Sequence, residues 1–322
     1  MTFDWNGRKV LVTGGHGFLG TVLTRLLHER GATVASPTHG EIDLEAGGAF
    51  LRIANHRPDV FIHAAARCGG LGYVAANRDT LFERNARMSE AIFHACREAP
   101  PSVLVAVGSS CMYPGDCALP LREEQVLEGA PHSSVEPYGT VKRHLYLLSQ
   151  VLEIELAGGT AVVYPVLANL YGPGAHLSQP ERLHFADALA LKFALVAAGT
   201  GGVNVWGTGV ATRELLYVED AARGILHLIE HGATGAVNLG GNGLRTVGDV
   251  VERLCQVSGV AAERVRYDGD PGRDGQPTKV LDWNKARTAG WGPTISFDEG
   301  IRRTYEAALD FVRDTDTGGG TT

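Results

Sequence analysis

Cysteine is scarce in this 322-residue sequence, which contains five: Cys68, Cys96, Cys111, Cys117 and Cys255. Their number is odd, their spacing is irregular, and no Cys-x-x-Cys pair occurs. A disulfide framework needs paired cysteines and a zinc site needs closely spaced ones, so this pattern predicts reduced thiols. Reduced thiols are typical of a cytoplasmic protein.

The sequence also lacks an excess of positive charge, a long apolar run and a secretory leader. Its formal net charge is -7, and no run of Lys and Arg marks a surface for nucleic acid. No stretch reaches the roughly eighteen apolar residues of a membrane-spanning helix. The N-terminal residues lack the charged and apolar segments of a signal peptide. We therefore expect a cytoplasmic protein without nucleic-acid or membrane partners.

Short apolar segments alternate with amphipathic ones through the first half of the chain. Residues 9–13 are typical of a buried strand, and residues 18–30 carry apolar side chains at helical spacing. The alternation predicts an α/β fold of the Rossmann type, a doubly wound parallel sheet with helices on both faces. After Leu170 the pattern changes, and the run RELLYVED from Arg213 is predicted to open a helix that reaches about Glu230.

These changes of pattern also set the predicted domain boundaries. The first predicted domain spans residues 1–170 plus about 213–240. A smaller, partly interleaved C-terminal α/β domain is predicted from about 171–212 plus 241–312. The polar, Gly-rich residues 313–322 are predicted to be a disordered tail.

Three spaced glycines, Gly14, Gly17 and Gly20, lie between the first predicted strand and the first predicted helix. Glycine lets a backbone turn sharply and approach a pyrophosphate, and the following helix N-terminus favours an anion. This context predicts a dinucleotide site. The residues that we assign to the cofactor are Gly14, Gly17, Phe18, Leu19, Gly20, Ser36, Asp43, Ala64, Ala65, Tyr138 and Lys142.

The end of the second strand bears on the choice between NAD and NADP. An acidic residue there favours NAD and a basic one NADP, but the sequence has Ser36, Thr38 and His39 instead. These side chains suit a 2′-phosphate, which favours NADP(H) and leaves NAD(H) as the alternative. Asp43 either contacts the adenine or caps a helix.

Tyr138 and Lys142 are one helical turn apart, so both side chains share a face. An ammonium near a phenol is expected to lower the pKa of the phenol. A tuned phenol can pass a proton to a sugar oxygen while hydride moves. Ser109, at the end of the fourth predicted strand, is the candidate for orienting the reacting oxygen.

Together these features resemble the extended short-chain dehydrogenase/reductase superfamily. Further runs resemble the GDP-L-fucose synthase family: AAARCGGLGYVAAN (64–77), GSSCMYPG (108–115), EPYGTVK (136–142), NLYGPGAH (169–176), VWGTGVATRELLYVED (205–220) and DGQPTKVLD (274–282). That family epimerises carbons 3 and 5 of GDP-4-keto-6-deoxymannose and reduces the ketone at carbon 4 with NADPH.

The resemblance implies roles for particular side chains. Cys111 and His184 match the two family residues that exchange protons during epimerisation. Thiol and imidazole have ordinary pKa values of roughly 8.5 and 6.5, which suits either direction of transfer. The residues implied to contact the nucleotide-diphosphate sugar are Asn169, Trp206 and Arg213. Lys192 and Lys279 are further candidates for contacts with its phosphates, with an ordinary solvated charge as the alternative for each. The resemblance also assigns the first predicted domain to NAD(P) and the second to the nucleotide sugar. The resemblance also implies a homodimer formed through two long helices, which we expect at about 77–97 and 138–156.

Some positions depart from the family pattern. Pro37 and His39 replace basic residues after the second strand, and Thr278 stands where an Arg is expected. The alternatives are a 4-ketoreductase that does not epimerise and a GDP-mannose 3,5-epimerase-like enzyme with bound NAD. His184 favours the fucose-synthase type, since the second family has a Lys there. A regulatory protein that only binds the cofactor is disfavoured because Ser109, Tyr138 and Lys142 are all present.

Overall fold

The computed structural model describes residues 3–156 and 158–318. It contains the following strands: β1 (Lys9–Thr13), β2 (Thr33–Ala35), β3 (Val60–His63), β4 (Val103–Ala106), β5 (Gly108–Ser109), β6 (Ala161–Leu167), β7 (Asn169–Tyr171), β8 (Val203–Val205), β9 (Thr212–Tyr217), β10 (Gly235–Leu239), β11 (Leu244–Thr246), β12 (Val265–Tyr267) and β13 (Thr278–Lys279). Its α-helices are α1 (Phe18–Glu29), α2 (Ala49–Ala54), α3 (Leu71–Ala76), α4 (Arg78–Glu98), α5 (Glu136–Glu155), α6 (Phe185–Ala197), α7 (Val218–Glu230), α8 (Val247–Ser258), α9 (Asn284–Thr288) and α10 (Phe297–Gly318).

The main sheet confirms the predicted Rossmann-type architecture. Its strand order is β10-β6-β4-β3-β1-β2, with β5 alongside β6, and every pairing is parallel. Val10 and Val12 face the core that contains α1 and α7, and Leu11 faces the core that contains α2 and α4. Strands covered on both faces need continuous apolar runs, which is why these segments were recognisable in the sequence. Strand β2 is added on one side of β1, and β3 and the strands after it are added on the other side. This change in the order of the strands leaves a crevice at the carboxyl ends of β1 and β3.

A second, mixed sheet lies beyond the main one. Strand β9 pairs antiparallel with β11 and parallel with β7 and β13. The prediction that RELLYVED opens a helix was wrong for Arg213–Tyr217, which belong to β9, since the helix begins only at Val218. Leu215, Leu216 and Tyr217 are buried in succession, and strand pairing on both sides of β9 satisfies that pattern. The division into two domains stays a prediction; β9 joins the second sheet, whereas α7 packs in the core of the main sheet.

The second core is built around α6, α8 and α10, whose side chains Phe193, Leu254 and Ile301 are buried together. Helix α10 continues to Gly318, so the predicted disordered tail was wrong for 313–318. Its apolar side chains reach the core at helical spacing as far as Val312, which anchors the helix up to that residue. The rest of that predicted tail, 319–322, lies outside the described residues.

Across the described part of the chain, no helix combines the length and the apolar character that crossing a membrane requires.

Candidate active site

A cleft of about 850 Å³ opens at the carboxyl edge of the main sheet and extends to the second core. All of the predicted site residues line this cleft except Gly20 and Ser36. The structure therefore gathers side chains that are separated by more than a hundred positions in the sequence. It also adds lining residues that the sequence analysis did not select, among them His16, Cys68 and Gln276.

The glycine loop is packed too tightly for larger residues. Gly14 has φ of +76°, and a Cβ on it would lie 2.6 Å from the backbone nitrogen of Ala65. A Cβ on Gly20 would collide with the carbonyl oxygen of Gly14. Gly20 thus lets α1 approach the loop, although it does not line the cleft.

The N-terminus of α1 is free to meet an anion. Gly17 precedes the helix, no side chain caps the first turn, and that turn contains no acidic residue. Its N–H groups and the helix dipole favour a pyrophosphate at this point. The cradle formed by Gly14, Gly17 and this first turn therefore fits a dinucleotide.

The region after β2 differs from the expectation in one respect. Ser36 is set back behind His16, whose Nε2 lies 2.9 Å from the Ser36 carbonyl oxygen and 3.3 Å from its Oγ. Ser36 faces an adjoining groove of about 460 Å³, which Arg52 also lines. Sequence reasoning found no Arg near this position because Arg52 comes from α2 and not from the strand end. Asp43 lines the main cleft, 3.7 Å from His39 Nδ1.

Tyr138 and Lys142 share a face of α5, as predicted, but their electrostatics differ from the expectation. Lys142 Nζ donates a hydrogen bond to the Val107 carbonyl oxygen at 2.8 Å and lies 5.6 Å from the centre of the Tyr138 ring. Burial raises the pKa of Tyr138 well above its usual range, and burial lowers the pKa of Lys142 to about 8. The predicted lowering of the phenol pKa was therefore wrong, because desolvation outweighs an ammonium that is directed elsewhere.

Cys68 is a neighbour of Tyr138 that sequence reasoning missed. Burial raises the pKa of its thiol, and the charge that the Cys68 sulfur can carry raises the pKa of the Tyr138 phenol beyond the effect of burial. Cys68 lies in the run AAARCGGLGY, which the sequence analysis singled out without assigning a task to its cysteine. The contact favours a protonated Tyr138.

Cys111 lies in the short 3₁₀ turn Ser110–Met112, directly after β5. Ser109 Oγ accepts a hydrogen bond from the Cys111 backbone N–H at 3.3 Å and so caps that turn. Lys279 Nζ donates to Cys111 Sγ at 3.5 Å. Lys279 was predicted to contact phosphate, whereas its nearest partner in the structure is the thiol.

His184 immediately precedes α6 and faces the same cleft. Burial lowers the pKa of its imidazole, and the Lys279 charge lowers it further. One turn along the helix, the buried Asp187 accepts a hydrogen bond from the Gly172 N–H at 3.1 Å. Burial raises the pKa of Asp187 to about 7. The carboxyl group thereby connects the start of α6 to the loop after β7.

The remaining predicted substrate contacts lie on the far side of the cleft. Arg213 donates to the carbonyl oxygens of Thr212, Gln276 and Asp274, so much of its guanidinium organises the 274–276 loop. Lys192 Nζ donates to the Asn204 carbonyl oxygen at 2.7 Å.

Trp206 and Asn169 complete this side of the cleft. The Trp206 ring is half exposed, with Lys192 Nζ 5.7 Å and the Arg273 guanidinium carbon 5.4 Å from its centre. An exposed indole flanked by cations suits stacking against a planar base. Asn169 Nδ2 donates to the Glu214 carbonyl oxygen at 3.4 Å.

Comparison with known proteins adds three kinds of similarity. A family model described as the NAD dependent epimerase/dehydratase family matches residues 10–240. Probable GDP-L-fucose synthase 1 of Oryza sativa subsp. japonica is 30% identical over 313 residues, which cover 95% of this chain and 93% of that protein. GDP-L-fucose synthase of Escherichia coli (strain K12) is 28% identical over 319 residues, covering 94% and 97% respectively.

Among solved structures, a GDP-6-OMe-4-keto-L-xylo-heptose reductase from C. jejuni superposes with a TM-score of 0.86. Its sequence is 21% identical, and the match covers 98% of this chain and 100% of that one. The fold is therefore shared across both the main sheet and the second core.

Proposed function

The chain belongs to the NAD dependent epimerase/dehydratase family, and we propose that it is a nucleotide-sugar epimerase/reductase. The proposed reaction converts a GDP-linked 4-keto-6-deoxyhexose by epimerisation at carbons 3 and 5 and NADPH-dependent reduction of the ketone at carbon 4. The observation that carries this proposal is the meeting of Cys111, His184 and Tyr138 in the cleft that begins at the glycine loop. The two relatives named GDP-L-fucose synthase support the GDP group and the sugar class.

Epimerisation requires a base and an acid beside a carbon that the ketone has acidified. Cys111 approaches the cleft from the β5 edge and His184 from the start of α6, so the two side chains reach it from different elements. Cys111 would take a proton from the carbon next to the ketone, leaving the electron pair on the carbonyl oxygen. His184 would return a proton to the opposite face.

Reduction at carbon 4 needs a proton donor, and Tyr138 suits that task. Its raised pKa keeps the phenol protonated at neutral pH. Ser109 would orient the ketone oxygen, and Lys142 would hold the nicotinamide ribose from the same face of α5. NADPH supplies the hydride when it is bound with its pyrophosphate at the first turn of α1.

The second core would hold the nucleotide diphosphate. Trp206 offers a stacking surface, Lys192 supplies positive charge beside it, and Arg213 adds a second positive charge to the same cleft. Asn169, after β6, would contact the sugar diphosphate. Lys279 is the remaining predicted contact on this side.

We also expect a homodimer formed through α4 and α5. These helices pack against each other. They expose a group of large apolar side chains: Phe82, Leu147, Val151 and Ile154. The last three recur at helical spacing on α5, so they form one stripe that a second copy of the chain would cover.

One assay tests the proposed reaction. The pure protein is incubated with GDP-4-keto-6-deoxymannose and NADPH in deuterated water, and absorbance and product mass are followed. We expect NADPH consumption with deuterium at two carbons, and we expect Cys111→Ser to abolish the deuterium uptake while it still binds NADPH. Consumption without deuterium would favour a plain 4-ketoreductase. Turnover of GDP-mannose without added cofactor would favour the 3,5-epimerase type.

A further inference from the structure

The surroundings of the Cys111 thiol are strongly cationic. Charged or titratable groups within electrostatic reach of its sulfur come from four parts of the chain: Lys142 and Tyr138 on α5, Arg213 on β9, Lys279 on β13, and Cys68 after β3. Three of these groups are cations.

The three cations are not equivalent. Lys142 donates to a backbone carbonyl, and the hydrogen bonds of the Arg213 guanidinium likewise go to carbonyl oxygens. Lys279 differs because its Nζ donates to the sulfur itself, at 3.5 Å. Lys279 is therefore the cation that acts on the thiol directly.

The Lys279 ammonium is buried, so its contact with the sulfur affects the energy of both groups. Lys279 is 6% exposed, and no carboxylate in residues 3–156 or 158–318 forms an ion pair with it. A buried ammonium is costly without a counter-charge, and the neighbouring strand adds a second cation, because Arg213 is its direct register partner. A negative sulfur within hydrogen-bonding distance supplies such a counter-charge.

We propose that Lys279 is a positioning residue for Cys111: its ammonium holds the side chain as a thiolate, the form that accepts the proton in epimerisation. The thiolate takes the proton from the carbon next to the ketone, the electron pair moves onto the ketone oxygen, and Cys111 becomes a neutral thiol. The proton then returns to solvent before the next cycle. This inference rests on the proposed function for its place in the reaction, whereas the state of the thiol can be tested without substrate.

The test measures how fast iodoacetamide alkylates Cys111 in the full-length protein at pH 7, resolved by peptide mass spectrometry. Only the thiolate is the nucleophile. Lys279→Met should slow alkylation of Cys111 about tenfold or more, and Lys279→Arg should keep a large part of the wild-type rate. Cys255, on α8 in the second core, serves as the internal reference. Lys192→Met removes a cation from the same cleft that bonds a carbonyl, so it should leave the Cys111 rate unchanged.

An unchanged alkylation rate in folded Lys279→Met would overturn the proposal, and so would an equal fall in Lys192→Met. Folding is checked by circular dichroism and NADPH binding. If Lys279→Met does not fold, the thiolate absorbance near 240 nm is compared between the wild type and Cys111→Ser at pH 7. No difference there would also overturn the proposal.

Turnover then separates this inference from the proposed function. Loss of deuterium uptake through a lower kcat in Lys279→Met supports the action on Cys111. A raised KM with normal kcat and normal alkylation would instead return Lys279 to the phosphate contact predicted from the sequence, and would overturn the proposal. If the wild type converts no GDP-4-keto sugar, the proposed function fails while the alkylation result still decides the state of the thiol.

Discussion

Lys142 Nζ lies 5.6 Å from the centre of the Tyr138 ring and gives its hydrogen bond to the Val107 carbonyl oxygen instead of the phenol. The neighbouring Cys68 side chain raises the pKa of the phenol beyond the effect of burial. Burial and the neighbouring Cys68 therefore keep Tyr138 protonated, which is the form that can donate a proton. The Lys142 ammonium points instead to the backbone at Val107, between β4 and β5.

Replacing Tyr138 by Phe tests its place in the reduction. Tyr138→Phe should lower the rate of NADPH consumption about a hundredfold or more, because the proton donor is removed. Deuterium uptake at carbons 3 and 5 should persist, since it does not need the phenol. Tyr146→Phe, on the same helix but outside the cleft lining, is the matched control and should reduce at a near-normal rate. Normal reduction by Tyr138→Phe would contradict the proposed mechanism.

The tight packing of the glycine loop predicts that a larger side chain at Gly14 weakens cofactor binding. Gly14→Ala places a Cβ 2.6 Å from the Ala65 nitrogen on a backbone with φ of +76°, so the loop must shift. We expect NADPH affinity, measured by calorimetry or fluorescence titration, to fall about tenfold or more, which corresponds to about 1.4 kcal/mol or more. Gly47→Ala is the control, since its Cβ would meet no atom within 4 Å. Equal affinities in the two variants would argue against the cradle.

Asp187 predicts a pH dependence of stability. Its pKa is raised from 3.8 to about 7, so between these values the folded protein binds a proton that the unfolded chain does not. The free energy of unfolding should therefore fall as pH rises from about 4 to 7, by at most about 1.4 kcal/mol per pH unit from this group. Asp187→Asn, which can still accept from the Gly172 N–H, should remove that contribution.

Urea unfolding of the wild type and Asp187→Asn at pH 5 and pH 7 measures this effect. The variant should gain stability relative to the wild type at the higher pH. Other buried acids, such as Glu214, are present in both proteins and cancel in the comparison. If the difference in the free energy of unfolding between the variant and the wild type is the same at both pH values, Asp187 is ionised throughout this range.

The apolar stripe on α5 predicts the oligomeric state. Ile154 is 76% exposed, and Ile154→Glu should convert a dimer to a monomer in size-exclusion chromatography with light scattering, because a buried carboxylate would lack a partner. Leu51→Glu, at a position on α2 that is 50% exposed, is the matched control and should leave the dimer intact. A wild-type monomer at micromolar concentration would refute the expected interface.

The fold was predictable where local pattern and long-range packing agree. Residues 9–13 were recognisable because both faces of their strand are covered. The run RELLYVED was misassigned because its consecutive apolar residues suit either a buried strand or a helix, and only pairing with β7, β11 and β13 decides between them. Helix α3, just before α4, was not predicted, since its Gly-containing sequence LGYVAA carries no clear helical period.

What the sequence by itself determined is the chemistry that depends on neighbours along the chain. The spacing of Gly14, Gly17 and Gly20 requires a close turn, and the four-residue spacing of Tyr138 and Lys142 puts them on one face of α5. The tertiary structure alone decided the partners of these groups. Cys111 and Lys279 are 168 positions apart. Lys279 comes from β13, which pairs with β9 in the second sheet, and Cys111 follows β5 of the main sheet, so only the packing of the two sheets brings them together. Burial also depends on the whole fold, because side chains from every direction remove water from Tyr138. It raises the pKa of Tyr138, whereas its sequence neighbour Lys142 was expected to lower it.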